Sequence, residues 1–246
     1  MCGREIQILV RKELQQLIGS RGAIWTALLL PILFLVLVPA PYLFLASALP
    51  VGAIELGAAV PLGAANDPNA VLRMLILPLC MLAGGLLVPS STATYTLIAE
   101  REQRTLELLV GLPVRIGQVL LAKLLVVALV TVGVCFALFA LDAGLIISFN
   151  IAGPGYVAAL GTLLLAALIY ATASALLIAL LARDLRTANH LATAFLLPTI
   201  LLGAAVLVLV PGEYTKLLAL AGLLVVGAAA ALWVALRVVT FERLLR

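Results

Sequence analysis

Residues Ala99–Lys123, AEREQRTLELLVGLPVRIGQVLLAK, form the longest strongly polar interruption in a chain that is otherwise almost entirely apolar. The segment opens with the charged run Glu100-Arg101-Glu102-Gln103-Arg104, continues as Thr105-Leu106-Glu107-Leu108-Leu109, and breaks at Gly111 and Pro113. Apolar runs long enough to cross a bilayer flank it on both sides. A helix this polar, held between two spans, lies at a membrane surface rather than in lipid.

Composition agrees. Of the 246 residues, 65% are hydrophobic and 11% are charged, against about 25% charged in an ordinary soluble domain. The mean hydropathy is +1.28. So few polar groups cannot cover a globular surface, and the solvent for most of the chain is lipid. The formal charge of +4 does not point to nucleic acid, because surplus Lys and Arg in a membrane protein mark cytoplasmic loops. Three cysteines carry little information: Cys80 and Cys135 fall in apolar runs, where a thiol acts as a small hydrophobe, and Cys2 has no signal pattern before it. No CxxC or metal-ligand spacing occurs. The single histidine, His190, reads as an interfacial polar residue at the start of a span.

A helical span needs about 20 apolar residues. By that measure six spans are expected, at 24–49, 74–98, 119–141, 156–182, 191–210 and 217–236, none with a charge in its middle. Pro31, Pro39 and Pro41 in the first, and Pro78 and Pro89 in the second, predict kinks. Upstream, residues 4–21 place Ile6, Val10, Leu14 and Leu17 on one face and Arg4, Glu5, Arg11, Lys12, Gln15 and Gln16 on most of the rest. Residues 1–22 therefore read as an amphipathic interfacial helix, with a solvated leader helix as the plainer alternative. The expected connections on the side away from the polar segment are short: 50–73, 142–155 and 211–216. For residues 198–212, opening at Pro198 and containing Gly203, a helix that ends early and re-enters stands as the alternative to a simple span.

Orientation follows from the basic residues. Thirteen of the fifteen Lys and Arg fall with the termini, the 99–118 segment, Lys123 just beyond it and the 183–189 loop, leaving Arg73 and Lys216 on the other side with Glu55, Asp67, Asp142 and Glu213. This places both termini and the polar segment in the cytoplasm, and an even span number agrees. The expected fold class is an all-α integral membrane protein with six transmembrane helices, an N-terminal amphipathic interfacial helix and a cytoplasmic coupling helix between spans two and three. It forms one domain over 1–246: the interfacial helix at 1–22, spans one and two at 24–98, the coupling segment at 99–118, and spans three to six with the cytoplasmic tail at 119–246.

Several chemistries are missing. A phosphate-binding loop needs GxxxxGK[ST], and none of the lysines, Lys12, Lys123 and Lys216, follows a glycine. No GxSxG or HExxH motif supplies a nucleophile or a metal. An ion-coupled carrier generally sets ionisable residues within its spans, and the six expected spans hold none there. In the polar segment, a helix over 99–110 pairs Glu100 with Arg104 at i,i+4 and Arg104 with Glu107 at i,i+3. Glu102, Gln103 and Glu107 then remain to face the cytoplasm, and Pro113 can start the next helix. An ordinary charged loop fits the same residues equally well.

The run Glu100-Arg101-Glu102-x-x-Thr105-Leu106-Glu107-x-Leu109, with Pro113-Val114 and Leu120-Leu121-x-Lys123 after it, resembles the ABC transporter type-2 permease family. Arg11-Lys12-Glu13-Leu14, Arg21 and Leu30-Pro31-Ile32-Leu33-Phe34 are similar to that family's opening. Leu180-Leu181-Ala182-Arg183, Thr187-Ala188-Asn189 and Leu197-Pro198 are similar to its fourth-to-fifth-span loop. The likeness covers most of the chain. It departs at Arg104, where family members usually have Gly, and at Gly111-Leu112, where Ala-Thr or a similar pair is common.

The resemblance implies the transmembrane subunit of an ATP-driven exporter in a prokaryotic plasma membrane, with no ATP site or catalytic residue of its own. It implies two ABC ATPase subunits carrying ATP and Mg, a second permease copy (identical or homologous), and no cofactor or nucleic acid on this chain. The segment matching 99–112 is then a coupling helix seated on the ATPase, with Glu100, Arg101, Glu102, Arg104 and Glu107 as its contacts and Arg183 and Asp184 supporting. Alternatives are a haem or cofactor exporter subunit of related architecture, and a membrane scaffold or assembly factor with no substrate.

Overall fold

The computed structural model describes residues 28–41, 68–102, 116–182 and 185–240. Among them there is no strand. Six helical elements follow one another: α1 (Leu28–Pro41), α2 (Pro68–Glu102, with a π-helical stretch at Leu72–Ile76), α3 (Ile116–Ser148), α4 (Pro154–Leu181), α5 (Leu185–Leu209) and α6 (Glu213–Thr240). Five of them, α2 to α6, are long and apolar enough to cross a membrane. The described part of the first expected span, α1, is shorter than a crossing requires. It contains a π-helical stretch at Ile32–Leu37, directly after Pro31. The expected amphipathic helix at 1–22 lies outside the described residues.

Helix α4 is central. It packs along α6 and α2, and more lightly against α3 and α5. Its buried face is built from Leu160, Leu163, Leu164, Ala167, Leu168 and Ala171. Gly85 of α2 lets the two backbones close up: a Cβ there would meet the Ala167 Cβ at 2.7 Å. Small residues at such contacts are how membrane helices gain van der Waals packing when lipid offers no hydrophobic drive. The same core takes in Leu35 of α1, Met81, Leu82 and Leu86 of α2, and Leu217, Leu220 and Leu224 of α6.

Four expectations about element ends are corrected. Helix α3 does not stop at 141 but runs to Ser148, and its end is a Schellman turn. Asn150 takes a left-handed φ of 53°. The Ile151 amide donates to the Ile146 carbonyl at 3.0 Å and the Asn150 amide to the Ile147 carbonyl at 3.1 Å. Ile146 and Ile151 are both buried beneath this turn. Second, α2 already begins at Pro68, so Arg73 is helical and not in a loop. Third, α6 begins at Glu213, which places Lys216 inside it, after Gly212 has turned the chain with a φ of 90°.

The fourth concerns 198–212, which does not re-enter: α5 is one continuous helix through Pro198 to Leu209. Proline removes one amide from the ladder, here the one that would donate to the Ala194 carbonyl, and the helix runs on through it, with Thr199 Oγ1 donating to the Phe195 carbonyl at 2.7 Å. Ser90, after Pro89, does the same to the Leu86 carbonyl at 2.8 Å. Both prolines lie within unbroken helices.

Candidate coupling end and the opposite polar end

Two contacts fix the relative direction of α2 and α4. The Tyr156 hydroxyl donates to the Arg73 carbonyl, near the start of both helices. Gly85 then meets Ala167 further along each. The helices therefore run parallel, and their C-terminal ends, Glu102 and Leu181, lie at one end of the bundle. The α4–α5 connection, expected to support coupling, is at that same end.

Of the expected coupling residues, Glu100, Arg101 and Glu102 form the last turn of α2. Arg104, Glu107, Arg183 and Asp184 lie outside the described residues. On the described residues to either side of them, Ile178, Ala182, Ala188 and Ala192 form a small buried cluster, with Leu191 and Phe195 against it. His190, one turn into α5, is exposed on this side.

Helix α6 spans from one end to the other. Tyr214 in its first turn is exposed and meets Tyr156 edge to face, with ring centroids 6.5 Å apart. Near its other end the Arg237 guanidinium lies 4.0 Å from the centroid of the exposed Trp233 ring. Aromatic rings of this kind sit at membrane–water interfaces. Tyr214 and Trp233 are separated by about 28 Å of helix at 1.5 Å per residue, close to the roughly 30 Å hydrocarbon thickness. The helix length between the aromatic markers thus matches a bilayer.

The end away from Glu102 holds what the sequence reading missed. Arg73 Nη2 stands 3.6 Å from Glu213 Oε1, and the Arg73 Nε is buried with no hydrogen-bond partner among the described residues. Lys216, one turn into α6, is only 2% exposed. Asp142 of α3 is 1% exposed, and both of its carboxylate oxygens lack a partner among the described residues. Spans expected to be free of charge near their middles thus carry buried charges one to two turns from this end. The missed signal for Asp142 was the apolar run Leu145-Ile146-Ile147 beyond it, which continues the helix to the Asn150 turn. Among the described residues no three His, Cys, Asp or Glu come together as a metal site.

The comparisons with known proteins bear on the whole bundle. The family model described as "ABC-2 family transporter protein" matches residues 60–225, from before α2 into α6. A search of curated proteins returned no match. The matched region covers well over half of the chain and includes the polar segment, α2 to α5 and the first half of α6. Together with five membrane-length helices, this makes the chain the multi-pass membrane subunit of an ABC transporter. The chain belongs to the ABC-2 transporter family.

Proposed function

We propose that the protein is the permease half of an ATP-driven exporter, with the Glu102 end of the bundle facing the cytoplasm. The observation that carries this reading is the family match across 60–225. Two features support it. The excess of Lys and Arg on the Glu102 side gives the orientation, and the absence of a phosphate-binding loop assigns ATP and Mg to separate ATPase subunits. Closure of two partner ATPases pushes on residues 99–112, through Glu100, Arg101, Glu102, Arg104 and Glu107. Arg183 and Asp184 at the α4–α5 corner receive the same push. The α2–α4 contact at Gly85 transmits it along the span, because closely packed helices move as a unit.

In this reading a second permease copy, identical or homologous, completes the path in a prokaryotic plasma membrane. The apolar spans favour a lipophilic or amphipathic cargo. The test is purification of the tagged chain from its native membrane in mild detergent. The expected result is co-purification of an ABC ATPase whose hydrolysis depends on the permease. A chain that purifies alone, and adds nothing to the activity of ABC ATPases from the same cells, contradicts the reading.

A further inference from the structure

Helix α2 changes character along its length. Its opening, Pro68–Ile76, contains the π-helical stretch Leu72–Ile76, and Pro78 follows almost at once. The Leu77 amide, which an α-helix would offer to the Arg73 carbonyl, goes to the Leu72 carbonyl instead. The next donor along would be the amide of residue 78, and a proline has none. The Arg73 carbonyl is thus left without a backbone donor from its own helix. A change of hydrogen-bond register beside a proline is where a helix bends most readily. Beyond Pro78, α2 runs unbroken to Glu102 and packs closely on α4 at Gly85.

Two other helices secure that opening. Tyr156 of α4 supplies the missing donor, its hydroxyl bonding to the Arg73 carbonyl. Tyr156 is buried, and Tyr214 of α6 holds its ring edge to face. The Arg73 side chain reaches α6 itself, where Nη2 stands 3.6 Å from Glu213 Oε1. Arg73 therefore ties the start of α2 to α4 through its backbone and to α6 through its side chain.

Neither tie is strong. The ion pair is too long for a hydrogen bond, and both of its side chains are partly exposed, so solvent weakens it. The hydroxyl bond is a single neutral one, worth little net once broken and remade. Leu72, beside Arg73, is buried in the shared core and seats the segment when it is closed.

We propose that Pro68–Ile76 is a flap, hinged at Pro78 and latched through Arg73 to α4 and α6. With the latch closed, as in this structure, the starts of α2, α4 and α6 are held together. With it open, the flap swings about Pro78 while the Gly85–Ala167 contact stays in place, and this end of the bundle parts. Hinges of this kind absorb a large backbone change over a few residues at the end of an element. The parting lets cargo leave on the side away from the ATPases. Only that last step rests on the export reading; hinge and latch rest on the bundle alone.

The test is hydrogen–deuterium exchange of the full chain in lipid nanodiscs, read on peptides covering 68–77 against those covering 79–102. Tyr156→Phe removes only the latch hydroxyl. It should speed exchange over 68–77 about fivefold and leave 79–102 unchanged. Glu213→Gln should act in the same direction and less. Pro78→Ala supplies the missing amide and should slow exchange over 68–77. Adding Tyr156→Phe to Pro78→Ala should then change little, because the helix satisfies its own carbonyl. Unchanged exchange in Tyr156→Phe overturns the proposal. So does an acceleration shared equally by 68–77 and 79–102, which marks a general loss of packing. An equal effect of Tyr156→Phe with and without Pro78→Ala overturns the hinge. No ATPase is needed for these readouts, so they stand or fall separately from the co-purification that tests export.

Discussion

Helices α4 and α5 are 28 and 25 residues long and both run apolar nearly all the way round, yet one is the core and the other the rim. Helix α4 buries Leu160, Leu163, Leu164, Ala167, Leu168, Ala171 and Ser174. Helix α5 leaves Leu197, Leu201, Leu202, Val208 and Leu209 exposed. Hydropathy cannot separate them, because in lipid an exposed leucine costs nothing. Small residues separate them. The alanines of α4 and Gly85 of α2 allow backbones to approach, and packing of that kind holds membrane helices together. The difference teaches that position within this bundle is set by side-chain size more than by polarity.

The strongest way to break the contrast is Gly85→Leu. A Cβ at this position already stands 2.7 Å from the Ala167 Cβ, so a larger side chain must force α2 and α4 apart. A loss of about 3 kcal/mol is expected, read as a lower midpoint in a detergent unfolding titration. Asp142→Leu should act in the opposite direction. Removing two buried, unpartnered carboxylate oxygens should raise stability by about 2 kcal/mol in the same titration.

A smaller effect sits on a side-chain hydrogen bond between the two helices. Tyr170 of α4 and Thr199 of α5 share a hydroxyl–hydroxyl bond of 3.0 Å. Tyr170→Phe should cost about 0.6 kcal/mol, the usual worth of such a bond between membrane helices. The smallest effect belongs to the rim: Leu201→Ala, on a residue 62% exposed, should change stability by no more than about 0.5 kcal/mol. A Leu201→Ala cost rivalling that of Gly85→Leu would show that α5 is covered by another protein surface instead of lipid.

Much of this was legible from the residues. The apolar runs gave helices α2 to α6 at nearly the right places, since membrane length and hydropathy are the same physical constraint. What was not legible lies at the helix ends. Asp142 reads as the first polar residue of a loop, and only the Schellman turn at Asn150, with Ile146 and Ile151 buried beneath it, shows that the helix continues. Arg73 and Lys216 were read as loop cations because charges near span ends usually meet water. Here neighbouring helices cover Lys216 and partly cover Arg73, which no single-chain pattern announces. Pro198 suggested a break, and the helix runs through it to Leu209 instead. Of the coupling residues, the sequence reading put Glu100, Arg101 and Glu102 next to a span, and they form its last turn. The roles of all seven rest on the family's pattern and not on geometry.

The most direct test of the coupling role is the ATPase activity of the reconstituted complex carrying Glu102→Lys and Glu107→Lys together. Reversing two charges at a docking surface should leave the permease in the membrane while hydrolysis falls to the level of the ATPase subunits alone. Full assembly with undiminished, permease-dependent hydrolysis in the double variant would contradict it.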